Sequence, residues 1–435
     1  MDTLRYGDTG SHVQILQMGL ARAGMDPGPQ DGIFREQTRT ALQAFQIQAG
    51  LTPTGIAGPY VWEALHPYLV GYRVHTTVRG DTLYRLARQY HTRLGAILTA
   101  NPQIDPGRLR IGQAVIIPLG FPVVPTDIAY SSALLELVLE GLRARFPFLT
   151  MESVGRSILG RPLYMITMGE GEREVFYNAA HHANEWITTP LLLAFLEAYA
   201  RAYGEGGLLS GMDAAALYSG VTLRMVPMVN PDGVDLVTGA LDVESDAYTQ
   251  ALNIAQNYPG IPFPSGWKAN IRGVDLNLNY PAEWNTAREI KAAQGFTGPA
   301  PRDYVGPNPL SEPETQAIHG LTLDHDFQLI LAYHSQGELI YWKFLDYEPA
   351  RSFEIAQDMA RASGYLVEEV PLASGYAGYK DWFIQTYDRP GYTIEVGRGV
   401  SPLPLEQFPG IYRDNLGILL IGLQVVADGT LPADQ

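Results

Sequence analysis

Cysteine is absent from all 435 residues. Disulfide staples and thiolate zinc sites are therefore excluded, and any bound metal must use histidine and carboxylates. Positive charge is scarce as well: 30 Lys and Arg stand against 46 Asp and Glu, a formal net charge of −16. That balance disfavours a nucleic-acid partner, whose phosphates demand clustered cations. It also leaves attraction to an anionic surface to local, shape-specific contacts. Long apolar runs are missing. No stretch reaches the ~18 apolar residues of a membrane span; the nearest, Leu191 to Ala200, is interrupted by Glu197 and reads as a buried amphipathic helix. Met1 to Gly10 is polar and lacks the apolar core of a secretory leader.

What is present describes a folded, multidomain chain. Hydrophobic residues make up 46% and charged residues only 17%, a globular composition, and the length exceeds one ordinary core. Residues 1–70 repeat apolar positions at helical spacing, with Val13, Leu16, Gln17 and Leu20 followed by Thr38, Leu42 and Phe45, and Gly and Pro punctuate the gaps. Residues 71–119 begin extended (Tyr72 to Val78). A turn at Gly80-Asp81-Thr82-Leu83 then starts a helix, a second helix spans Leu94 to Ala100, and Ala114 to Pro118 is extended again. Residues 120–129 are Pro-rich and read as a short, stiff linker. Residues 130–428 alternate apolar strands (Val175 to Ala179, Leu223 to Val229, Phe327 to Ala332, Tyr392 to Val396) with helices (Thr188 to Tyr203, Ser311 to Leu323, Ser352 to Ser363, Leu405 to Val426). Such alternation predicts an α/β domain on a central mixed sheet. Ser311 followed by Glu314 reads as a capping box.

The first segment, through Gly7-Asp8-x-Gly10, Val13-x-x-Leu16-Gln17, Asp31-Gly32-x-Phe34, Thr38, Phe45-Gln46 and Gly55-x-x-Gly58-Pro59, resembles the small helical peptidoglycan-binding domain of wall hydrolases. The second, a βααβ unit with Gly80-Asp81-Thr82-Leu83, Asn101-Pro102 and Leu109-x-Ile111-Gly112-Gln113, resembles a LysM module. That resemblance implies recognition of N-acetylglucosamine-containing glycan by the loops bearing Asp81, Thr82 and Ile104.

In the third segment His182-Ala183-Asn184-Glu185 follows directly on a predicted strand, so His182 and Glu185 can reach one cation from the same turn. Zinc needs a third protein ligand and an open position. His334, ending another apolar run, is the candidate, at the kind of strand end where α/β proteins build sites. His181 competes by sequence, but the three-residue spacing to Glu185 favours His182.

His182-x-x-Glu185, Asn230-Pro231-Asp232-Gly233, Gly273-Val274-Asp275-Leu276-Asn277, His334-Ser335 and Thr393-x-Glu395 occur in the order of the zinc carboxypeptidase family, which this domain resembles over Tyr130 to Asp428. The resemblance implies one Zn2+ per catalytic domain held by His182, Glu185 and His334, with Asp275 orienting a ligand histidine. It also implies Glu395 as general base and Lys268 (in Trp267-Lys268-Ala269-Asn270, with Arg272 as its rival) as oxyanion stabiliser. Tyr376, ahead of Tyr379, is the candidate substrate-capping tyrosine. One departure stands out. The family's Asn-Arg pair for a terminal carboxylate is here Asn277-Leu278, and leucine cannot replace a guanidinium fork. Asn277 stays a substrate-binding candidate, and a substrate carboxylate would have to be met by another arginine, Arg272, Arg288, Arg302 or Arg398.

Together with the domain order, this departure resembles the branch of γ-D-glutamyl-diamino acid endopeptidases, which cut between D-glutamate and diaminopimelate or lysine in peptidoglycan stem peptides. Two alternatives are an ordinary metallocarboxypeptidase and an inert wall-binding protein. The resemblance implies stem peptides and wall glycan as partners and a wall-associated or extracellular location, with a spore, a mother cell or cytoplasmic muropeptide recycling also open. Oligomeric state and the choice of diamino acid are not legible.

Overall fold

The computed structural model describes residues 2–431. They divide into two compact units: Met1–Thr150 with Glu197–Leu209 and Thr238–Ala240, and Met151–Leu196 with Ser210–Val237 and Leu241–Gln435.

The first unit opens with three helices, Ser11–Arg22, Glu36–Gln48 and Pro59–Val70. Their apolar faces carry Val13, Leu16, Leu42, Phe45 and Leu65 inward, and Phe34 and Trp62 are core residues too. Gln17 is fully buried among them. Its amide donates to Ile33 O (3.1 Å) and Thr38 Oγ1 (3.2 Å), and its oxygen accepts from Gly32 N (2.9 Å). A buried polar side chain must be satisfied in this way, which explains a polar residue at a core position of the repeat. Gly32 has φ +74°, and a Cβ there would meet Gly10 O at 2.8 Å.

The βααβ unit follows. Strands Tyr72–Thr76 and Ala114–Pro118 pair antiparallel, and helices Leu83–Gln89 and Leu94–Ala100 lie between them in sequence. Thr82 caps the first helix by accepting from Arg85 N at 3.1 Å. Asn101 ties helix to strand, donating to Ile97 O and Ile116 O and accepting from Ile116 N. The chain just before and within the Pro-rich stretch is anchored by side chains. Glu197, the charge interrupting the longest apolar run, accepts from Val123 N (2.8 Å) and Val124 N (3.0 Å). Arg145 donates to Phe121 O and Leu119 O. Among the described residues no helix is long and apolar enough to cross a membrane.

The second unit is built on a mixed eight-stranded sheet. Its order is Leu366–Glu368, Leu339–Tyr341, Gly391–Glu395, Phe327–His334, Glu174–Ala179, Thr222–Val226, Pro162–Met168, Thr150–Arg156. The middle four (Gly391–Glu395 through Thr222–Val226) run parallel. Covered on both faces, they read as continuous apolar runs instead of alternating ones, as in Val175, Phe176 and Tyr177, all inaccessible. Their carboxyl ends lie side by side: Glu395 is registered with His334, and Tyr333 with Ala179, three residues before His182.

Two local expectations are corrected. Helix Pro313–Leu323 takes Glu312 as N-cap, since Pro313 occupies the first turn. Ser311 instead hydrogen-bonds the Glu312 carboxylate, and Glu314 accepts from Ile158 N at 3.1 Å, so no capping box forms. The last helix begins at Phe408, after a 3-10 turn at Leu405–Gln407.

Glu314 is inaccessible to solvent. Burial, reinforced by Asp232, pushes its carboxyl up to about 7 against the Ile158 and Asn270 hydrogen bonds. The native state therefore keeps a proton that the unfolded chain releases near its ordinary value. The associated stability is complete at the acid end and lost as pH rises through about 7. At ~1.4 kcal/mol per unit the loss is about 3 kcal/mol. Glu314→Gln is expected to gain stability over the native chain as pH goes from 5 to 8 in urea melts; a constant difference would exclude the effect.

Candidate metal centre and active site

Residues at and just beyond the carboxyl ends of the parallel strands converge. His182, Glu185 and His334 each turn one ligand atom to a common point, all within 4.8 Å of one another. His182 Nδ1 lies 3.0 Å from Glu185 Oε1, His334 Nδ1 lies 3.0 Å from Glu185 Oε2, and the two imidazole nitrogens are 3.2 Å apart. His182 Nε2 faces Asp275 Oδ1 at 3.1 Å, which directs the Nδ1 lone pair into the cluster. His334 and Glu185 are nearly inaccessible. Two facing imidazole nitrogens and a buried carboxylate, with one histidine backed by a second carboxylate, form a donor set that suits zinc.

Local structure explains the convergence. After strand Glu174–Ala179 the chain turns through Ala180 at φ 52° and enters the 3-10 turn Ala183–Glu185, with His182 as its N-cap. Asn230 pins this loop, donating to His181 O (3.1 Å) and to Ala269 O (3.0 Å). A Cβ on Gly233 would strike Ala269 O at 2.7 Å and Ala183 Cβ at 2.8 Å. The Asn-Pro-Asp-Gly motif thus couples the His182 loop to the Lys268 segment. That segment is buttressed by the chain between Thr238 and Pro264, whose helix Asp246–Gln256 packs Ala251 and Ala255 with Trp267 and Ile271.

The electrostatics are tightly coupled. Burial works against Glu185, yet His182 and Lys268 hold its carboxyl well below the usual range; Lys268 Nζ is 2.9 Å away. Burial lowers the His182 imidazolium, but Glu185 and Asp275 outweigh it and carry it up to about 9. Asp275 is likewise depressed by His182 in spite of burial, and accepts from Asp303 N. Glu395 moves the other way. Burial and the neighbouring Glu185 charge raise it to about 8, with Lys268 and His182 opposing.

A cleft of about 260 Å³ opens beside the cluster, and His182, Lys268, Asp275, Asn277 and Glu395 are among the residues lining it. Leu278 forms part of its wall and packs with Trp284 and Val305.

The sequence profile of the zinc carboxypeptidase family matches residues 135–416. The chain belongs to that family. Profiles of a putative peptidoglycan-binding domain and of LysM match residues 9–65 and 75–118. The chain is 43% identical over 294 residues to "Gamma-D-glutamyl-L-diamino acid endopeptidase 1" of Lysinibacillus sphaericus, covering 68% of this chain and 72% of that one. It is 38% identical over 293 residues to the uncharacterized protein YqgT of Bacillus subtilis, covering 67% and 76%. Among solved structures it resembles thrombin-activatable fibrinolysis inhibitor (TM-score 0.54, 18% identity, 69% of this chain and 78% of that one). It also resembles carboxypeptidase A of Helicoverpa armigera (0.53, 20%, 79% and 80%). These two likenesses establish the fold. The family's enzymes are zinc peptidases, and this domain is one of them.

The structure does not bring every candidate to the cleft. His181 is fully buried with Nε2 3.0 Å from Tyr280 OH, outside the cluster. Arg272 is bound to Glu312 through two nitrogens and lines a different depression. Arg398 is largely exposed and pairs with Glu338. Tyr376 is half-buried with its ring nearly perpendicular to that of Phe344 and is not among the cleft-lining residues. Tyr379 is a core residue bonded to Thr322. In the LysM unit Ile104 is buried in the core, which takes its side chain out of reach of a glycan. Asp81 is occupied by His75 Nε2 (2.8 Å) and Val78 N (2.7 Å), and Thr82 by its helix. Of the four arginines considered for a carboxylate, Arg302 is the one that lines the cleft. Lys291 and Lys380 line it too, and no motif or spacing marks them.

Proposed function

We propose that the chain hydrolyses the amide between the γ-carboxyl of D-glutamate and the diamino acid of peptidoglycan stem peptides, as an endopeptidase. The observation that carries the reading is the convergence of His182, Glu185 and His334 at the mouth of a cleft that also holds Glu395 and Lys268. The similarity to a named endopeptidase of that specificity supports the bond chosen. Leu278 in the cleft wall departs from an ordinary carboxypeptidase, because leucine cannot supply the guanidinium fork expected at that position. The segment bounds 1–70, 71–119, 120–129 and 130–428 belong to this reading.

His182, Glu185 and His334 would hold zinc, which when bound acidifies water and polarises a scissile carbonyl. Asp275 keeps the His182 ring in its ligating tautomer. Glu395, made more basic by burial, takes a proton from the attacking water and returns one to the leaving amine. Lys268 offers an ammonium to the charge developing on the carbonyl oxygen. The N-terminal domains hold the enzyme on peptidoglycan, the LysM unit through N-acetylglucosamine-containing glycan. The site of action is then the wall or its released fragments, outside the cell, in a sporulating mother cell or during recycling.

Mass spectrometry of L-Ala-γ-D-Glu-diaminopimelate and of muropeptides is expected to show release of L-Ala-D-Glu, abolished by chelator and restored by zinc. Zinc-loaded protein that pellets with intact wall yet cleaves neither substrate would instead identify an inert wall-binding protein.

A further inference from the structure

The cleft presents a guanidinium whose terminal N–H groups have no partner among the described residues. Four cationic side chains line it, Lys268, Lys291, Arg302 and Lys380, beside the carboxylates of Asp275, Asp303, Asp381 and Glu395. Lys268 pairs with Glu185 at 2.9 Å. Lys380 is almost inaccessible, pairs with Asp381 at 2.7 Å and donates to Lys343 O at 2.6 Å. Lys291 and Arg302 share a single carboxylate: Lys291 Nζ takes Asp303 Oδ1 and Arg302 Nε takes Asp303 Oδ2, both at 2.6 Å. The two cations thus share Asp303, and they differ in access. The Lys291 side chain is 7% exposed and that of Arg302 43%. Among the described residues, Arg302 has only its Nε–H engaged, so its terminal N–H groups remain for a ligand.

Its position is set from both sides. Pro301 O accepts from Lys268 N (2.7 Å) and Ala269 N (2.9 Å), and Asp303 N donates to Asp275 at 3.1 Å. Arg302 is therefore held between the segment bearing Lys268 and the carboxylate behind His182. The other arginines considered for a carboxylate are engaged elsewhere: Arg272 with Glu312, Arg398 with Glu338, and Arg288 over the Trp284 ring at 5.2 Å.

We propose that Arg302 binds a substrate carboxylate beside the scissile amide, the task for which position 278 offers only leucine. The assignment rests on the γ-glutamyl reading above. Acylation through the γ-carboxyl leaves the α-carboxylate of D-glutamate free next to the bond that breaks, and a terminal diamino acid carries a second carboxylate on the other side. The terminal N–H groups of a guanidinium match either group in a fork, and the guanidinium charge offsets part of the cost of desolvating the anion.

The test uses full-length, zinc-loaded wild type, Arg302→Gln and Arg302→Lys on three substrates. They are L-Ala-γ-D-Glu-diaminopimelate, its analogue with the D-glutamate α-carboxyl amidated, and its analogue with the terminal carboxyl of the diamino acid amidated. On the unmodified tripeptide Arg302→Gln is expected to lose about 10- to 150-fold in kcat/KM, the range for hydrogen bonds to a charged group. Arg302→Lys should fall between, keeping charge without the fork. On one analogue the wild type and Arg302→Gln should become equal, and that analogue identifies the carboxylate. Metal stoichiometry and melting temperature should match among the three proteins; if Arg302→Gln does not fold, Arg302→Lys carries the comparison. Equal slowing on all three substrates, or none on any, overturns the assignment. A wild type that cleaves no γ-glutamyl substrate overturns the endopeptidase reading and this assignment together, whereas an active wild type with a charge-blind variant overturns only this one.

Discussion

Glu395→Gln is expected to slow hydrolysis of the γ-D-glutamyl tripeptide by about 100- to 10,000-fold, the span of general acid–base contributions, while the protein keeps its fold and one zinc per chain. The substitution is nearly isosteric and falls at the end of the strand Gly391–Glu395, whose pairing with Phe327–His334 is made by backbone groups. The next residue, Val396, donates to His334 O at 2.9 Å irrespective of the side chain at 395. What disappears is a carboxylate that burial and the Glu185 charge hold at about 8. An amide cannot accept the water's proton or return one to the amine. Paired measurements of turnover and of metal content by plasma emission decide the matter: a variant within tenfold of wild type would remove Glu395 from the proton-transfer role.

The second large effect is expected from Glu185→Gln. The carboxylate faces His182, His334 and Lys268 within 3.0 Å and also accepts from Ser335 N at 3.1 Å. An amide keeps one acceptor but turns an NH2 toward either an imidazole or the Lys268 ammonium, and it carries no charge. Two consequences follow from that single loss. The metal site loses its only anionic first ligand, so dialysed protein is expected to retain far less than one zinc per chain and to show no hydrolysis above background. Lys268, 19% exposed and close to Arg302, is left without its counter-charge, which in buried pairs costs about 3–5 kcal/mol. Denaturant melts of the metal-free proteins should show a loss at or below the low end of that range, since Lys268 is partly solvated. Full zinc occupancy after dialysis would count against Glu185 as a ligand.

These effects differ in how visible they were without coordinates. His182, Glu185 and His334 stand at the ends of apolar runs, and a central parallel strand must be apolar throughout, so the run itself points to where a site can be built. Glu197 shows the opposite case. In sequence it only interrupts an apolar helix, and its partners, the amides of Val123 and Val124, lie over 70 residues away. The Ser311–Glu314 pair failed as a capping box because Pro313 starts the helix and the buried Glu314 is claimed by Ile158. Ile104, read in sequence only as part of a loop, has its side chain packed in the LysM core.

By itself the amino-acid sequence determined the three-segment organisation, the mixed-sheet architecture and the chemistry available to a metal, because periodicity, breaker residues and the absence of cysteine are local properties. The tertiary structure alone decided which charges meet. Arg272, Arg302 and Arg398 are equivalent as letters; Glu312 and Glu338 occupy two of them, and only Arg302 is carried to the cleft, by the bonds of Pro301 and Asp303 to distant segments. Charge balance in a pocket is a sum over groups that folding brings together from far apart in the chain, and no local pattern encodes that sum.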